Sequence, residues 1–424
     1  MSKKPLGLFT PLGISNAQSA TPLSSLRETA SLTGEVGVLN VQRCNPNTLS
    51  VFNPTSMESR HNPLQKVDDY LQNITTDIPI REREYINSFM TNGIALNDGA
   101  FGKTYINRDR SNVMKMIDLQ KRYNMLLNYS KDEINSIIIG ELKSEIEYYH
   151  AISSLCVNVC KFLGYYYDTS SKTIYILMEN CGTDLFDIYA REQKPSLEQS
   201  IGIIKQMVDA LDCLHSNGFV HRDIKPENIT VTEQGKVLLI DFGFLTHSGD
   251  AIIPGKGTAL YQSPENMNKI PMTFDDLTAS DIYSLGVTIL FMILPSTNDK
   301  KILFNTINSR TKVAIEFNNS NFTKRLDILE KNKPEFKKYK IMEECNPQLT
   351  RVFGLTTDSF FSDTPRMRIS AAELKSILLE SSKSFSLGGS KSRQKKRGTR
   401  GRRQRRQQTY KKRMNQNRPA KLSR

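Results

Sequence analysis

Between His221 and Asn228 the chain reads His-Arg-Asp-Ile-Lys-Pro-Glu-Asn, and 13 residues beyond Asn228 comes Asp241-Phe242-Gly243. Asp223 offers a carboxylate that can accept a proton. Lys225 brings a compact positive charge, and Asn228 and Asp241 supply hard oxygen donors. Five fixed letters at about 5% usage each meet by chance at about 10⁻⁷ per position, so a surface loop with incidental charges is a poor account of this segment. Upstream, Asn97-Asp98-Gly99-Ala100-Phe101-Gly102 carries glycines that let backbone come close to a phosphate. Lys115 then ends the run Asn112-Val113-Met114-Lys115.

In this order the segments resemble the catalytic loop and the metal-binding DFG segment of eukaryotic-type protein kinases. The resemblance implies phosphoryl transfer, in which the protein mainly positions groups and neutralises charge. ATP is then the expected donor. Asp223 would accept the proton of a substrate hydroxyl and aim its oxygen at the γ-phosphorus. Lys225 would stand beside the transferring phosphoryl, and a Lys at this place resembles the Ser/Thr-directed branch. Asn228 and Asp241 would hold Mg²⁺, which prefers oxygen ligands.

The family pattern for the phosphate loop is G-x-G-x-x-G between two strands. Here Asn97 replaces the first Gly, and Asn is the non-Gly residue best suited to positive φ. Gly99, Phe101 and Gly102 fill the remaining loop positions expected over the phosphates. Lys115 resembles the lysine that grips the α- and β-phosphates; its plain alternative is an ordinary strand-edge Lys. Its ion-pair partner should be a Glu on the next helix, where Glu141, Glu145 and Glu147 compete. Glu145 is preferred, with Tyr149 and Ile152 at i+4 and i+7 on its face. Glu147 fits a count to Lys161 equally well if the intervening loop has no insertion.

Glu179-Asn180-Cys181-Gly182 resembles the hinge between two lobes. Met178 would sit beside the adenine, backbone groups of Glu179 and Cys181 would bind its edge, and Asp184 would meet the ribose. A solvated loop carboxylate is the plain alternative for Asp184. Gly257-Thr-Ala-Leu-Tyr-Gln-Ser-Pro-Glu265 resembles the end of an activation segment, with Ser263 in place of Ala. Glu265 should pair structurally with Arg368. Thr258 is expected against Asp223 and Lys225. Asp281 should anchor the catalytic-loop backbone or simply cap a helix. Thr246 or Ser248 would carry a regulatory phosphate near Arg222, unless Asp250 supplies that charge permanently.

These residues need a scaffold of strands followed by helices. Ile94–Leu96, Lys103–Ile106, Asn112–Ile117 and Thr173–Met178 read as strands. Asp132–Ile152 reads as a helix with Ile138, Leu142, Glu145, Tyr149 and Ile152 on one face. Ser196 with Gln199 forms a capping box ahead of an apolar helical face that Gly218 would close. Val237–Ile240 is a buried strand. The apolar stretch Ile282–Leu294 is shorter than the roughly 20 residues a bilayer span needs, and reads as a buried helix. The expected fold is α+β and bilobal, a small β-rich lobe and a larger helical one.

Residues 86–380 form the expected kinase domain. Residues 1–85 are rich in Ser, Thr, Asn and Pro and read as a low-complexity extension, loosely wrapped, with a short helix near Ile80–Met90. The 424 residues carry a formal net charge of +14. Seventeen of the 58 Lys and Arg lie in 381–424 with no acid among them, leaving 41 against 44 acidic residues, a net of −3, in the rest. The tail 381–424 is therefore read as disordered and basic, able through 391–424 to contact nucleic acid or acidic partners. A solubilising tail is its plain alternative. Six cysteines without a CxxC pair argue against zinc and against a disulfide framework, hence for a reducing, intracellular compartment, nucleus or cytoplasm. No membrane partner is expected. Asn-rich ends and an Arg-rich tail are similar to kinases encoded by large DNA viruses, for which a viral factory or virion would be the site. The competing reading is a pseudokinase scaffold tethered by its tail, and the full set Lys115, Asp223, Asn228 and Asp241 stands against it.

Overall fold

The computed structural model describes residues 62–386 apart from 75–76, 100–101, 191–193, 295–297, 307–308, 310 and 333–354. Five antiparallel strands form the first sheet: β1 (Ile94–Gly99), β2 (Gly102–Ile106), β3 (Asn112–Asp118), β4 (Phe162–Asp168) and β5 (Thr173–Glu179), in the order β1-β2-β3-β5-β4. Strand alternation explains β3. Met114 is fully buried with Ile86, Phe89 and Leu177 on one face, while Ile117 joins the main core on the other. Lys115 lies between them, opposite Ile176 of β5.

Helices dress this sheet. Helix α1 (Gln65–Gln72) and helix α2 (Arg83–Asn92) precede it, and α3 (Leu119–Met125) follows β3. Helix α4 (Lys131–Lys143) starts at a Ser130/Glu133 capping box. It runs through a π-helical turn, Ser144–Tyr148, into α5 (Tyr149–Leu155). The single helix expected over 132–152 is thus one helical run with an extra residue wound into its middle. The expected loose wrapping up to residue 85 is corrected from Asn62 onward. Leu64 and Val67 are fully buried and belong to the main core, and Ile80 bridges Tyr165 as a parallel addition beside β4. A Leu64-Val67-Leu71 spacing, helical in period, was the signal within that polar stretch.

Beyond the hinge come β6 (Thr183–Asp184), α6 (Leu185–Ala190) and α7 (Leu197–Ser216). The Ser196/Gln199 capping box opens α7, Asn217 is its C-cap, and Gly218 follows at φ 76°. Strands β7 (Phe219–Val220), β8 (Ile229–Val231), β9 (Val237–Leu239) and β10 (Thr246–His247) frame the motif-bearing loops: β8 pairs with β6 and β9, and β10 with β7. A short helix α8 (Pro264–Met267) precedes α9 (Phe274–Ile293), which opens on a Thr273/Asp276 capping box. Helix α9 is long and apolar enough to cross a membrane by length and composition. Its apolar window is 78% buried, which makes it the central core helix. The last described helix spans Ala371–Ser386 and so runs past the expected domain end at 380.

The cysteines correct the expectation of unpaired thiols. Cys156–Cys213 and Cys160–Cys181 are disulfides, with Cα atoms 5.8 and 6.1 Å apart. The first joins the end of α5 to α7, and the second joins the approach to β4 to the hinge. Sequence separations of 57 and 21 gave no spacing signal. Cys44 and Cys345 lie outside the described residues.

Candidate active site

The 3₁₀ turn Pro226–Asn228 and the β8–β9 hairpin bring the two ends of the motif together, and Ile240 N donates to Asn228 O at 3.0 Å. Asp281 holds the other end: its carboxylate accepts the backbone amides of His221 (2.9 Å) and Arg222 (2.8 Å). It lies inside α9, about two turns from its start, so of its two expected roles the anchor is the one built and the helix cap falls to Thr273.

Asp223 is buried and its carboxylate is held on three sides. Oδ1 accepts Thr258 N at 2.8 Å, while Oδ2 accepts Asn228 Nδ2 at 3.0 Å and lies 2.8 Å from Lys225 Nζ. Lys225 also donates to Thr258 Oγ1 at 2.8 Å. Burial pulls the Lys225 amine down but is overcome by the neighbouring carboxylates Asp223 and Glu227, so it stays firmly charged. Gly257, at φ 106°, lies so near the catalytic loop that a Cβ would run into the Arg222 carbonyl. That contact fixes the distance between Thr258 and Asp223.

Lys115 donates to Glu145 and to Asp241 Oδ1, the latter at 2.9 Å. Of the three candidate glutamates, Glu145 is the one that reaches Lys115. Glu141 instead pairs with Arg122 from α3, and Glu147 accepts from the hydroxyl of Tyr70. Burial opposes the charge on Lys115, yet Asp241 and Glu145 outweigh it and hold its amine above the usual lysine value. The reciprocal effect of Lys115 holds the Asp241 carboxyl well below the usual aspartate range. Phe242 is buried beneath Tyr149 (centroids 4.5 Å) and against His221 (5.3 Å), so the aromatic after Asp241 packs between helix and loop.

Two backbone features escaped sequence reasoning. Arg222 and Asp241 are left-handed, at φ 70° and 63°. Non-glycine residues in that region cost roughly 1–3 kcal/mol and concentrate at functional sites. Nothing in their side chains announces this.

The remaining expected residues fall as follows. Asn97 is an ordinary strand residue opposite Thr104, with a register shift between Ala95 and itself, rather than the left-handed turn residue expected. Gly99 pairs with Gly102 at the end of the hairpin, and Phe101 lies outside the described residues. Gly102 cannot carry a side chain because a Cβ would strike the Met116 carbonyl of β3, a reason distinct from phosphate. Glu179 ends β5, its amide donating to Lys161 O at 3.0 Å and its carboxylate accepting Lys161 N at 2.9 Å. Asp184 accepts the amide of Asp187 at 2.8 Å, closing the first turn of α6.

Asp250 accepts the Tyr148 hydroxyl at 2.7 Å and the His247 amide at 2.9 Å, with Lys143 Nζ at 3.6 Å. It therefore bridges the loop after β10 to the helix that carries Glu145. Arg222 donates to Thr246 Oγ1 at 3.1 Å and to Ile253 O. Farther out, Glu265 and Arg368 form the expected pair, bidentate at 2.6 and 2.9 Å.

The family model for the protein kinase domain matches residues 95–377. The chain belongs to the protein kinase family. Among curated proteins it is 36% identical over 148 residues to an Arabidopsis thaliana 3-phosphoinositide-dependent protein kinase 1, covering 32% of this chain and 29% of that protein. It is 30% identical to a probable cAMP-dependent protein kinase catalytic subunit of Encephalitozoon cuniculi over 46% of this chain and 57% of the other. The Schizosaccharomyces pombe Aurora kinase is 28% identical over 55% and 62%. The matched stretches cover between 29% and 62% of the length of these relatives, less than two thirds of each.

Proposed function

We propose that this kinase transfers the γ-phosphoryl group of ATP to Ser and Thr hydroxyls of proteins. The observation that carries this reading is the charge constellation Glu145–Lys115–Asp241 facing the Asp223–Lys225–Thr258 group. Family membership implies ATP as substrate and typically Mg²⁺, and the donor set suits that ion. Asp241 stays ionised, and Asn228 commits its amide nitrogen to Asp223, leaving an amide oxygen as donor. Bound Mg²⁺ would neutralise phosphate charge. Lys115, oriented by Glu145, binds the α- and β-phosphates. Asp223 takes the hydroxyl proton and orients the attacking oxygen, and Lys225 stabilises charge on the transferred group. The Glu179 carbonyl and the Cys181 backbone take the adenine edge, Asp184 the ribose, and the β1–β2 turn the phosphates. The complete set of charged groups favours a catalyst over a scaffold. Beyond the core, the tail 391–424 binds nucleic acid or acidic partners by charge.

The test is transfer of label from γ-labelled ATP, with Mg²⁺, to a peptide library holding Ser, Thr and Tyr acceptors. Phosphoserine and phosphothreonine are expected. Label on tyrosine alone, or none, would overturn the reading.

A further inference from the structure

Helix α1 lies outside the family match, which begins at residue 95, yet it is built into the active lobe. Leu64, Val67 and Leu71 are buried in the same core as Ile134, Ile138 and Leu142 of α4. Asn135 of α4 donates to Pro63 O at 3.0 Å, and Lys66 reaches Asp132 at 2.8 Å. On its other side α1 is pinned by one buried carboxylate. Asp68 accepts from Asn62 Nδ2 (2.6 Å), Lys172 Nζ (2.6 Å) and the Tyr167 hydroxyl. Lys172 and Tyr167 belong to the β4–β5 hairpin, so Asp68 clamps α1 to the sheet as α1 leans on α4.

From this fixed base Tyr70 donates to Glu147. Glu147 lies in the π turn Ser144–Tyr148, as does Glu145. A π turn adds one residue to a helical turn, and such turns recur at functional sites. Here the two glutamates diverge: Glu145 to Lys115, Glu147 to Tyr70. A continuous α-helix would place both differently, and the pull of Tyr70 on Glu147 opposes unwinding of the extra residue.

We propose that α1 is a latch carried by this chain's own N-terminal segment, with Tyr70 a positioning residue that acts through Glu147 to hold Glu145 against Lys115. The inference rests on the kinase reading above. It assigns to residues 62–72 control over how well Lys115 is poised for nucleotide phosphate.

The test compares Tyr70→Phe in two backgrounds, the full chain and its Glu145→Gln form, by kcat and by the dissociation constant of Mg·ATP from calorimetry. Losing a hydrogen bond to a charged group is worth about tenfold in an equilibrium or a rate. Tyr70→Phe should therefore lower kcat and weaken Mg·ATP, each by several-fold up to about tenfold, while the KM for peptide stays put. In the Glu145→Gln background the same substitution should leave Mg·ATP affinity unchanged. Glu147→Gln, which removes the acceptor's charge from the other side, should reproduce the pattern and serves should Tyr70→Phe not fold. An unchanged kcat and affinity, or an equal loss of affinity in both backgrounds, would overturn the latch. A parent chain that transfers no phosphoryl at all would overturn the kinase reading itself, a distinguishable failure.

Discussion

Substituting Arg368 by Ala should unfold the helical region well before it affects chemistry. The Arg368 side chain is fully buried and Glu265 is 8% exposed, so the pair is not screened by solvent. Its guanidinium makes two bonds to Glu265 (2.6 and 2.9 Å), donates to Ser362 O (3.0 Å) and Ala279 O (3.2 Å), and stands 5.3 Å from the Tyr283 ring centre. Removing one partner of a buried pair leaves the other charge without compensation, which costs about 3–5 kcal/mol. Entropies of unfolding near 2.1 cal/mol/K per residue over the roughly 280 residues of the matched domain give about 0.6 kcal/mol/K. The expected fall in Tm is then about 5–8 °C. Thermal melts of Arg368→Ala, Glu265→Ala and the double variant measure it. The double variant should be less damaged than the sum of the two, because it strands no charge. A loss below about 1 kcal/mol for Arg368→Ala, the level of an exposed pair, would refute the claim that this contact is dry and structural.

Acid stability should depend on Lys115. Asp241 has a depressed pKa, so its contribution is present above the unfolded aspartate value and is lost as pH falls through the lower folded value. Lys115→Met removes the main cause, so the variant should be less stable than the parent at neutral pH and the difference should shrink as pH falls below the ordinary aspartate range, where protonation also relieves the buried Glu145. Denaturant unfolding at pH 7 and at acid pH measures it, and a deficit that does not change with pH counts against the triad. Asp250 meets Tyr148 and Lys143, while Arg222 meets Thr246 and Ile253, so Asp250 does not take the place of a phosphate beside Arg222 but ties its loop to the helix that carries Glu145. Asp250→Ala should lower kcat several-fold, and an unchanged kcat in a peptide assay counts against that bridge. Truncation after Ser386, where the last described helix ends, should keep peptide phosphorylation but lose RNA binding. The full chain's affinity for RNA should fall by orders of magnitude between about 50 and 200 mM salt. Equal binding and equal salt slope for both forms would make the tail a bystander.

Much of the site was legible because phosphoryl transfer demands particular side chains at particular loop positions. Asp223, Lys225, Asn228 and Asp241 are such cases, and their convergence follows from the short β8–β9 hairpin between them. Choosing Glu145 from three glutamates rested on helical spacing, and the structure brings that residue to Lys115. The π turn that separates Glu145 from Glu147 has no residue signature, because an inserted residue is a matter of packing. Helix α1 was hidden by its polar surroundings, β4 by the lack of alternation in Phe162–Asp168, and the disulfides by pairing across distant elements. The left-handed Arg222 and Asp241 are set by tertiary contacts: Asp281 gripping the loop amides, and Lys115 gripping the carboxylate. At Asn97 local preference pointed to a turn, and strand pairing with Thr104 prevailed.

The central claim is that Asp223 is the base of a phosphoryl transfer and not a structural carboxylate. Asp223→Asn keeps the shape and can still accept from Thr258 N, but it cannot take a proton. Steady-state phosphorylation of a Ser/Thr peptide at saturating Mg·ATP measures its effect, with Mg·ATP affinity determined on the same sample. The expected result is a fall in kcat of about 10²–10⁴, with Mg·ATP affinity changed by less than about threefold. A variant turning over within a few-fold of the parent chain, folded and with nucleotide bound, would contradict it.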